Sequence, residues 1–313
     1  MKEIKIEVPV LVIGFNRPEV IRQSFEFVRQ AQPAKLYVAI DGPRADKEGE
    51  ADLVEDVKAI VQKIDWECET HYRFHTENKG AEITVSSAIA WVLKQEEYVI
   101  VLEDDIIAPL SFFNFMQAML IKYKDEPNIC MVSGCNGTPL STPNNIDYFF
   151  AKYGHSWGWG TWRRVWQNFD LNVEIKKEHL KLKFLKTITN TTKEARYYKK
   201  LFSRMRKRGI GNNTWDFMFL YINRVANKLA ILPRVHLTSN IGIYGLHAKG
   251  ATAVHNMSYD ETFSVQKHPS TIEYWKEYDM HHFNTYIYHS TPLYKRLWNK
   301  GIRIINSLCN KHV

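Results

Sequence analysis

The chain has 313 residues, 45% of them hydrophobic and 24% charged, and a formal net charge of +8. These proportions belong to a globular chain with a sizeable core and exclude a largely disordered one; no run approaches the roughly 18 to 20 apolar residues of a membrane crossing. The length suits one large α/β domain with appended C-terminal structure, and the positive charge favours a phosphate-bearing partner: a nucleotide, nucleic acid or an anionic membrane surface.

Met1 leads through Lys2, Glu3, Lys5 and Glu7 straight into an apolar run, without the layout of a secretory signal. Apolar runs at 8–14, 36–40, 98–102 and 129–132 read as core strands. Between the first two, Ile21, Phe25 and Val28 keep helical spacing; between the next two, Leu53, Val54, Val57, Ile60, Val61 and Ile64 do the same. Residues 67–75 alternate like a half-buried strand and lead through Asn78 and Gly80 into a helix carrying Ile89, Trp91 and Val92. A further helix after Pro109 carries Phe112, Phe113, Met116, Met119 and Leu120. Repeated βαβ of this kind predicts an α/β fold with a mostly parallel sheet covered by helices, whose ligand site lies at the carboxyl ends of its strands.

Residues 133–145 gather Gly, Asn, Thr, Pro and Ser as a long loop does. An aromatic stretch from Tyr148 to Trp166 follows, then a basic, helical region at 176–208 and a mixed segment to about residue 256. The last segment, 293–313, sets Lys295, Arg296, Lys300, Arg303 and Lys311 around a stripe of Leu293, Leu297, Trp298, Ile302, Ile305 and Leu308. It reads either as a helix lying on an anionic membrane or as one docked on its own domain. The expected division is a catalytic domain over 1–256, with a nucleotide-binding half at 1–135 and an acceptor half at 136–256, followed by an extension at 257–313. Cys68, Cys130, Cys135 and Cys309 form no Cys-x-x-Cys pair, so neither zinc nor disulfides are expected and a reducing cytoplasm fits.

The chemistry concentrates at strand ends. Glu103, Asp104 and Asp105 halt the run at 98–102 and place three carboxyl groups where an open sheet keeps its ligand; in extended geometry 103 and 105 share a side. Hard cations such as Mg2+ and Mn2+ use one or two carboxylates to bridge to substrate phosphates, although an acidic turn capping the next helix would look the same. Asp41-Gly42-Pro43-Arg44 and Gly14-Phe15-Asn16-Arg17-Pro18 end two other strands on the same rim. At 155–164 the run His-Ser-Trp-Gly-Trp-Gly-Thr-Trp-Arg-Arg offers indole faces for sugar rings, or else a packed aromatic core; Arg163 or Arg164 is a candidate partner for a diphosphate. Asn240-Ile241-Gly242 and His247 suggest a lid, His247 being either an extra metal ligand or an ordinary loop histidine, as is the pair His281-His282.

Residues 9–18 (Pro-Val-Leu-Val-Ile-Gly-Phe-Asn-Arg-Pro), 40–44 (Ile-Asp-Gly-Pro-Arg), 78–80 (Asn-Lys-Gly) and 101–105 (Val-Leu-Glu-Asp-Asp), in this order, resemble the GT-A nucleotide-sugar glycosyltransferases. The similarity is greatest to bacterial family 2-like members and to the inverting N-acetylglucosaminyltransferases of N-glycan branching. It covers about the first 135 residues, with weaker matches to about residue 250. The resemblance implies a GT-A-like (Rossmann-like) fold and a Mn2+ or Mg2+ ion on Asp105, with Asp104 on ribose, Glu103 on the donor sugar and Asp41 on the uracil or ribose. Asn16, Arg17, Arg44, Asn78 and Gly80 complete the donor rim, and Trp157, Gly158 and Trp159 form a donor or acceptor loop. Glu103 departs from a literal Asp-x-Asp motif but fits the branching-type Glu-Asp-Asp.

An inverting transfer needs a base for the acceptor hydroxyl, and Asp216 in Asn213-Thr214-Trp215-Asp216-Phe217 matches the Trp-Asp position of the resembled enzymes, with flanking aromatics expected to limit its hydration. Asp147 and Asp170 are the fallbacks. The implied partners are a nucleotide-diphosphate sugar, UDP-linked by resemblance, and a glycan or lipid-linked acceptor at the inner membrane face, with no nucleic acid. The rival readings are a sugar-1-phosphate nucleotidyltransferase, for which the turn after residue 14 is a poor phosphate loop, and a non-catalytic nucleic-acid or membrane binder.

Overall fold

A computed structural model describes residues 5–242 and 257–288. His247, Cys309 and the expected basic helix at 293–313 lie outside the described residues. The first half alternates strand and helix: β1 (Val10–Gly14), α1 (Pro18–Ala31), β2 (Lys35–Ile40), α2 (Glu50–Val61), β3 (Glu69–Phe74), α3 (Ala81–Leu93) and β4 (Tyr98–Glu103). The short β5 (Ile106–Ile107), α4 (Leu110–Lys122) and β6 (Ile129–Ser133) follow. The second half contains β7 (Tyr148–Ala151), β8 (Trp159–Trp162), α5 (Arg163–Trp166), α6 (Leu182–Ile188), α7 (Thr192–Arg208), α8 (Trp215–Val225), β9 (Leu229–Pro233), β10 (Ser239–Asn240) and α9 (Lys276–His282).

Eight strands form one sheet in the order β3-β2-β1-β4-β8-β6-β9-β7. β1 to β4 are mutually parallel, β8 runs against both β4 and β6, β9 follows β6, and β7 runs against β9. The expected α/β class, a mostly parallel GT-A-like sheet flanked by helices, is the observed one. The short pair β5 and β10 stands apart as a second, antiparallel sheet.

Strand alternation divides the core. Val10, Val12, Leu36, Val38, Ile100 and Leu102 pack with α1, α2 and α4, whereas Leu11, Ile13, Ala39, Val99 and Val101 pack with α3 and α8. A third cluster joins α6, α7 and α8. Local signals account for the helix ends: Pro18 opens α1, where its missing N–H costs nothing, and the Thr191 hydroxyl accepts from Glu194 N at 3.1 Å to cap α7. Residues 257–288 are tied to the β7 edge, since Trp275 N donates to Phe150 O and Asp147 accepts from Gln266 N and Lys267 N. Among the described residues no helix is long and apolar enough to cross a membrane.

Candidate active site

The carboxyl ends of β1, β2 and β4 meet the start of α3 and α8, and the acidic triplet stands at their centre. Strand parity carries Glu103 to the side of Val99 and Val101, where it feels the charge of Asp216 on α8. Leu102 and Asp104 belong to the other side, and there Asp104 meets Arg17, the residue just before α1. The chain turns at Asp104-Asp105, so extended geometry ends and 105 does not share the side of 103 as expected. Instead Asp105 joins Asp104 on one guanidinium: Arg17 Nε reaches Asp104 Oδ2 at 3.1 Å, and Nη2 bonds Asp104 Oδ1 and, at 3.0 Å, Asp105 Oδ2.

Among the described residues one cation thus serves three acids. Burial, with help from the Asp105, Asp104 and Asp216 charges, pushes the Glu103 carboxyl up to about 8, and among the described residues no group hydrogen-bonds it. Burial also pushes Asp104 up, against the pull of Arg17. Burial alone would weaken the Arg17 proton, but Asp104 and Asp105 more than offset this and hold it charged. The donor set is hard oxygen and the corner is short of positive charge, so it fits a Mg2+ or Mn2+ ion. Among the described residues no group of three His, Cys, Asp or Glu side chains forms a ready cage. The protein would supply Asp105 and Asp104, leaving the remaining positions to phosphate and water.

Backbone contacts hold this corner. The Ser24 hydroxyl donates to Asp104 O at 2.7 Å, Ile241 N donates to Asp105 O at 2.9 Å, and Gly242 N donates to Asn240 Oδ1 at 2.8 Å. A Cβ at Gly242 would run into the Asp105 carboxylate, so only glycine lets the chain pass so close. Asn240 pairs with Ile106, and Ile241 and Gly242 run on close against Asp105, at the start of the stretch expected to form a lid.

Several expected donor contacts are committed within the chain. Asp41 is buried; its Oδ1 accepts from Gly42 N and Lys79 N, and its Oδ2 from Asn78 Nδ2 and Gly80 N, all between 2.9 and 3.0 Å. It thereby shapes the Asn78-Lys79-Gly80 turn that starts α3, a positioning role in place of a free base contact. Asn16 Nδ2 (2.8 Å) and the Arg44 guanidinium both bind Glu50, a buried carboxylate that Arg44 holds down at about 2. Asn16 and Arg44 are thus a strut across the rim, both held by a residue that sequence reasoning missed. Glu50 carried no signal beyond an acid in a first helical turn.

The aromatic loop divides. Trp157 is partly buried beside the rim, and Gly158 (φ +71°) packs on Thr238, Phe112 and Ile106 instead of opening toward a ligand. Trp159 points inward from β8 and stacks on Trp215 at 5.7 Å, which favours the packed-core reading for it. Because β8 is antiparallel, with Trp159 opposite Val101 and Trp162 opposite Tyr98, the chain reaches Arg163 and Arg164 at the far end of the sheet. There both arginines hold backbone carbonyls, of Leu93 and Glu96 and of Lys124, Ile129 and Tyr123, too far down to serve a diphosphate.

Asp216 lies in the first turn of α8 and is exposed, contrary to the expected limit on its hydration, because the neighbouring aromatics turn into the core. Its helix is anchored across the site: Glu82 Oε2, on α3, accepts from Trp215 N at 2.7 Å. Glu82 is a second residue missed from sequence, again an ordinary first-turn acid. Asp147 is tied to Arg234, Gln266 and Lys267, and Asp170 caps an exposed turn, so neither fallback reaches the rim. His282 is buried in an aromatic stack between Tyr278 and Tyr286.

No protein-family profile matches the chain, and no curated protein is similar to it in sequence. Among solved structures it is similar to the mannosyltransferase PcManGT from Pyrobaculum calidifontis in complex with GDP-Man and Mn2+, at 17% identity and a TM-score of 0.37 over 55% of this chain and 50% of that one. It is also similar to HddC from Yersinia pseudotuberculosis, at 10% identity and a TM-score of 0.33 over 52% of this chain and 80% of that one. A third is 4-diphosphocytidyl-2C-methyl-D-erythritol synthase from Anaerococcus prevotii, at 13% identity and a TM-score of 0.32 over 53% and 74%. The chain spans half the length of the mannosyltransferase that it matches.

Proposed function

We propose that this chain is a metal-dependent, inverting glycosyltransferase that moves a sugar from a nucleoside-diphosphate donor, UDP in the reading from its motifs, to a glycan or lipid-linked acceptor. The observation that carries the reading is the under-neutralised corner of Glu103, Asp104 and Asp105 at the end of β4, with the charge of Asp216 reaching Glu103 from the start of α8. In this reading residues 1–135 hold the nucleotide and 136–256 present the acceptor.

A Mg2+ or Mn2+ ion on Asp105 and Asp104 would offset the charge of the departing diphosphate. Arg17 adds fixed positive charge beside the same phosphates, and such preorganised electrostatics contributes most where charge develops. Asp41 holds the 78–80 turn in shape for the nucleotide. The acceptor oxygen bonds to the anomeric carbon on the face opposite the diphosphate while the carbon–oxygen bond to the diphosphate breaks. The bonding pair leaves with the nucleoside diphosphate, the acceptor proton passes to the Asp216 carboxylate, and the configuration inverts.

The test is calorimetry with UDP-sugars with and without Mn2+, paired with a transfer assay. Asp105→Asn is expected to lose Mn2+-stimulated turnover. Asp216→Asn is expected to keep donor affinity while transfer falls by about 10²-fold or more, and retained transfer would remove Asp216 from its role. Pyrophosphate release from a nucleoside triphosphate would instead mark a nucleotidyltransferase.

A further inference from the structure

Beside the acidic rim, a cavity of about 240 Å³ opens between the sheet, α7, α8 and the turn after α9, with Asp216 on its wall. The rim and the cavity therefore share one carboxylate. Trp215, Tyr198, Phe219 and Tyr286 give the wall flat apolar surface, the kind that packs against the C–H face of a sugar ring.

Four polar groups of this wall have no hydrogen-bond partner among the described residues: Nε1 of Trp159, Nη1 of Arg224, and Nε2 of His155 and of His282. Trp159, Arg224 and His282 are 1%, 3% and 0% exposed. Buried polar atoms are nearly always paired, so four orphans around one void point to an occupant that brings hydrogen-bonding oxygens. Arg224 lines the void with Asp216 at its margin, while the Lys152 ammonium turns away to Ile188 O, at 3.4 Å, and to the Tyr274 ring. Behind Arg224, Glu194 accepts from Tyr153 Oη and Asn190 N. Glu194 Oε1 stays 3.8 Å from Arg224 Nη1, beyond hydrogen-bond reach, so that N–H remains available.

We propose that this cavity is the acceptor subsite and that it takes a saccharide bearing an anionic group, a carboxylate or a phosphate. Arg224 holds the anion through that N–H, the aromatic wall holds the ring, and the reacting hydroxyl lies toward Asp216. This assignment rests on the glycosyltransferase reading of the rim.

Titration calorimetry of the full chain, without donor, against p-nitrophenyl glucoside, its glucuronide and its 6-phosphate tests it. The charged glycosides are expected to bind about tenfold tighter than the neutral one, the tighter of the two naming the anion, as a charge-assisted hydrogen bond implies. Arg224→Gln is expected to bring that preference close to one. If that variant does not fold, saturable tryptophan fluorescence change of the unaltered protein on adding the charged glycosides serves in its place. Equal affinity for all three overturns the anionic class, an unchanged preference in folded Arg224→Gln overturns the assigned residue, and no saturable binding means that the void holds only water. Mn2+-dependent binding of a UDP-sugar is measured alongside: its presence with no glycoside binding sinks this inference alone, and its absence with tight charged-glycoside binding sinks the rim reading.

Discussion

Glu103→Gln isolates the electrostatic condition of the acidic corner. Glu103 titrates near about 8 in the folded chain in place of its ordinary 4.5, because burial and three neighbouring carboxylates disfavour its charge. Between those values the folded chain holds a proton that the unfolded chain has released, so stability falls as pH rises from about 4.5 to about 8. At about 1.36 kcal/mol per pH unit the full window is worth about 5 kcal/mol for a wholly enclosed group, and solvent screening at this partly open rim reduces it to about 2 kcal/mol. Glutamine keeps the shape and never ionises. Urea unfolding of both proteins without metal, at about pH 5 and about pH 8, reads the difference. The stability advantage of Glu103→Gln is expected to grow by about 2 kcal/mol between the two conditions, and parallel pH profiles would refute the crowding of charge at the corner.

Two further substitutions probe the supports. Gly242→Ala drives a Cβ into the Asp105 carboxylate; Mn2+ affinity, followed by electron paramagnetic resonance, is expected to fall about tenfold, and an unchanged affinity would detach Gly242 from the site. Glu82→Ala leaves Trp215 N without its acceptor; about 1 kcal/mol of stability and several-fold in kcat are expected to go while donor KM holds, with Glu82→Gln restoring part of both.

Much of the acidic rim was legible from residue order. A strand buried on both faces must be apolar throughout, so the abrupt ends at Gly14, Ile40 and Leu102 marked the rim, and an open parallel sheet has its ligand edge at those ends. That logic located Arg17, Asp41 and the 103–105 triplet together, as the structure does. It did not reveal which charges were already spent. Arg44 is paired with Glu50, which also accepts from Asn16, and the Asp41 oxygens are taken up by the 78–80 turn, because such contacts depend on separations that sequence distance does not encode.

The surroundings of Trp159 and Asp216 were decided by tertiary structure. An indole suits a sugar or a core equally, and only the antiparallel insertion of β8 between β4 and β6 sends Trp159 inward and Arg163 and Arg164 to the opposite end. Likewise the charge of Asp216 reaches Glu103 only because Glu82 anchors α8 across 133 residues of chain. By itself the sequence determined the α/β class and the chemistry of the rim, since hydrophobic period and strand termination are local properties. The pairing of carboxylates with cations, the direction of β8 and the cavity beside Asp216 were settled by packing, which brings together residues far apart in the chain.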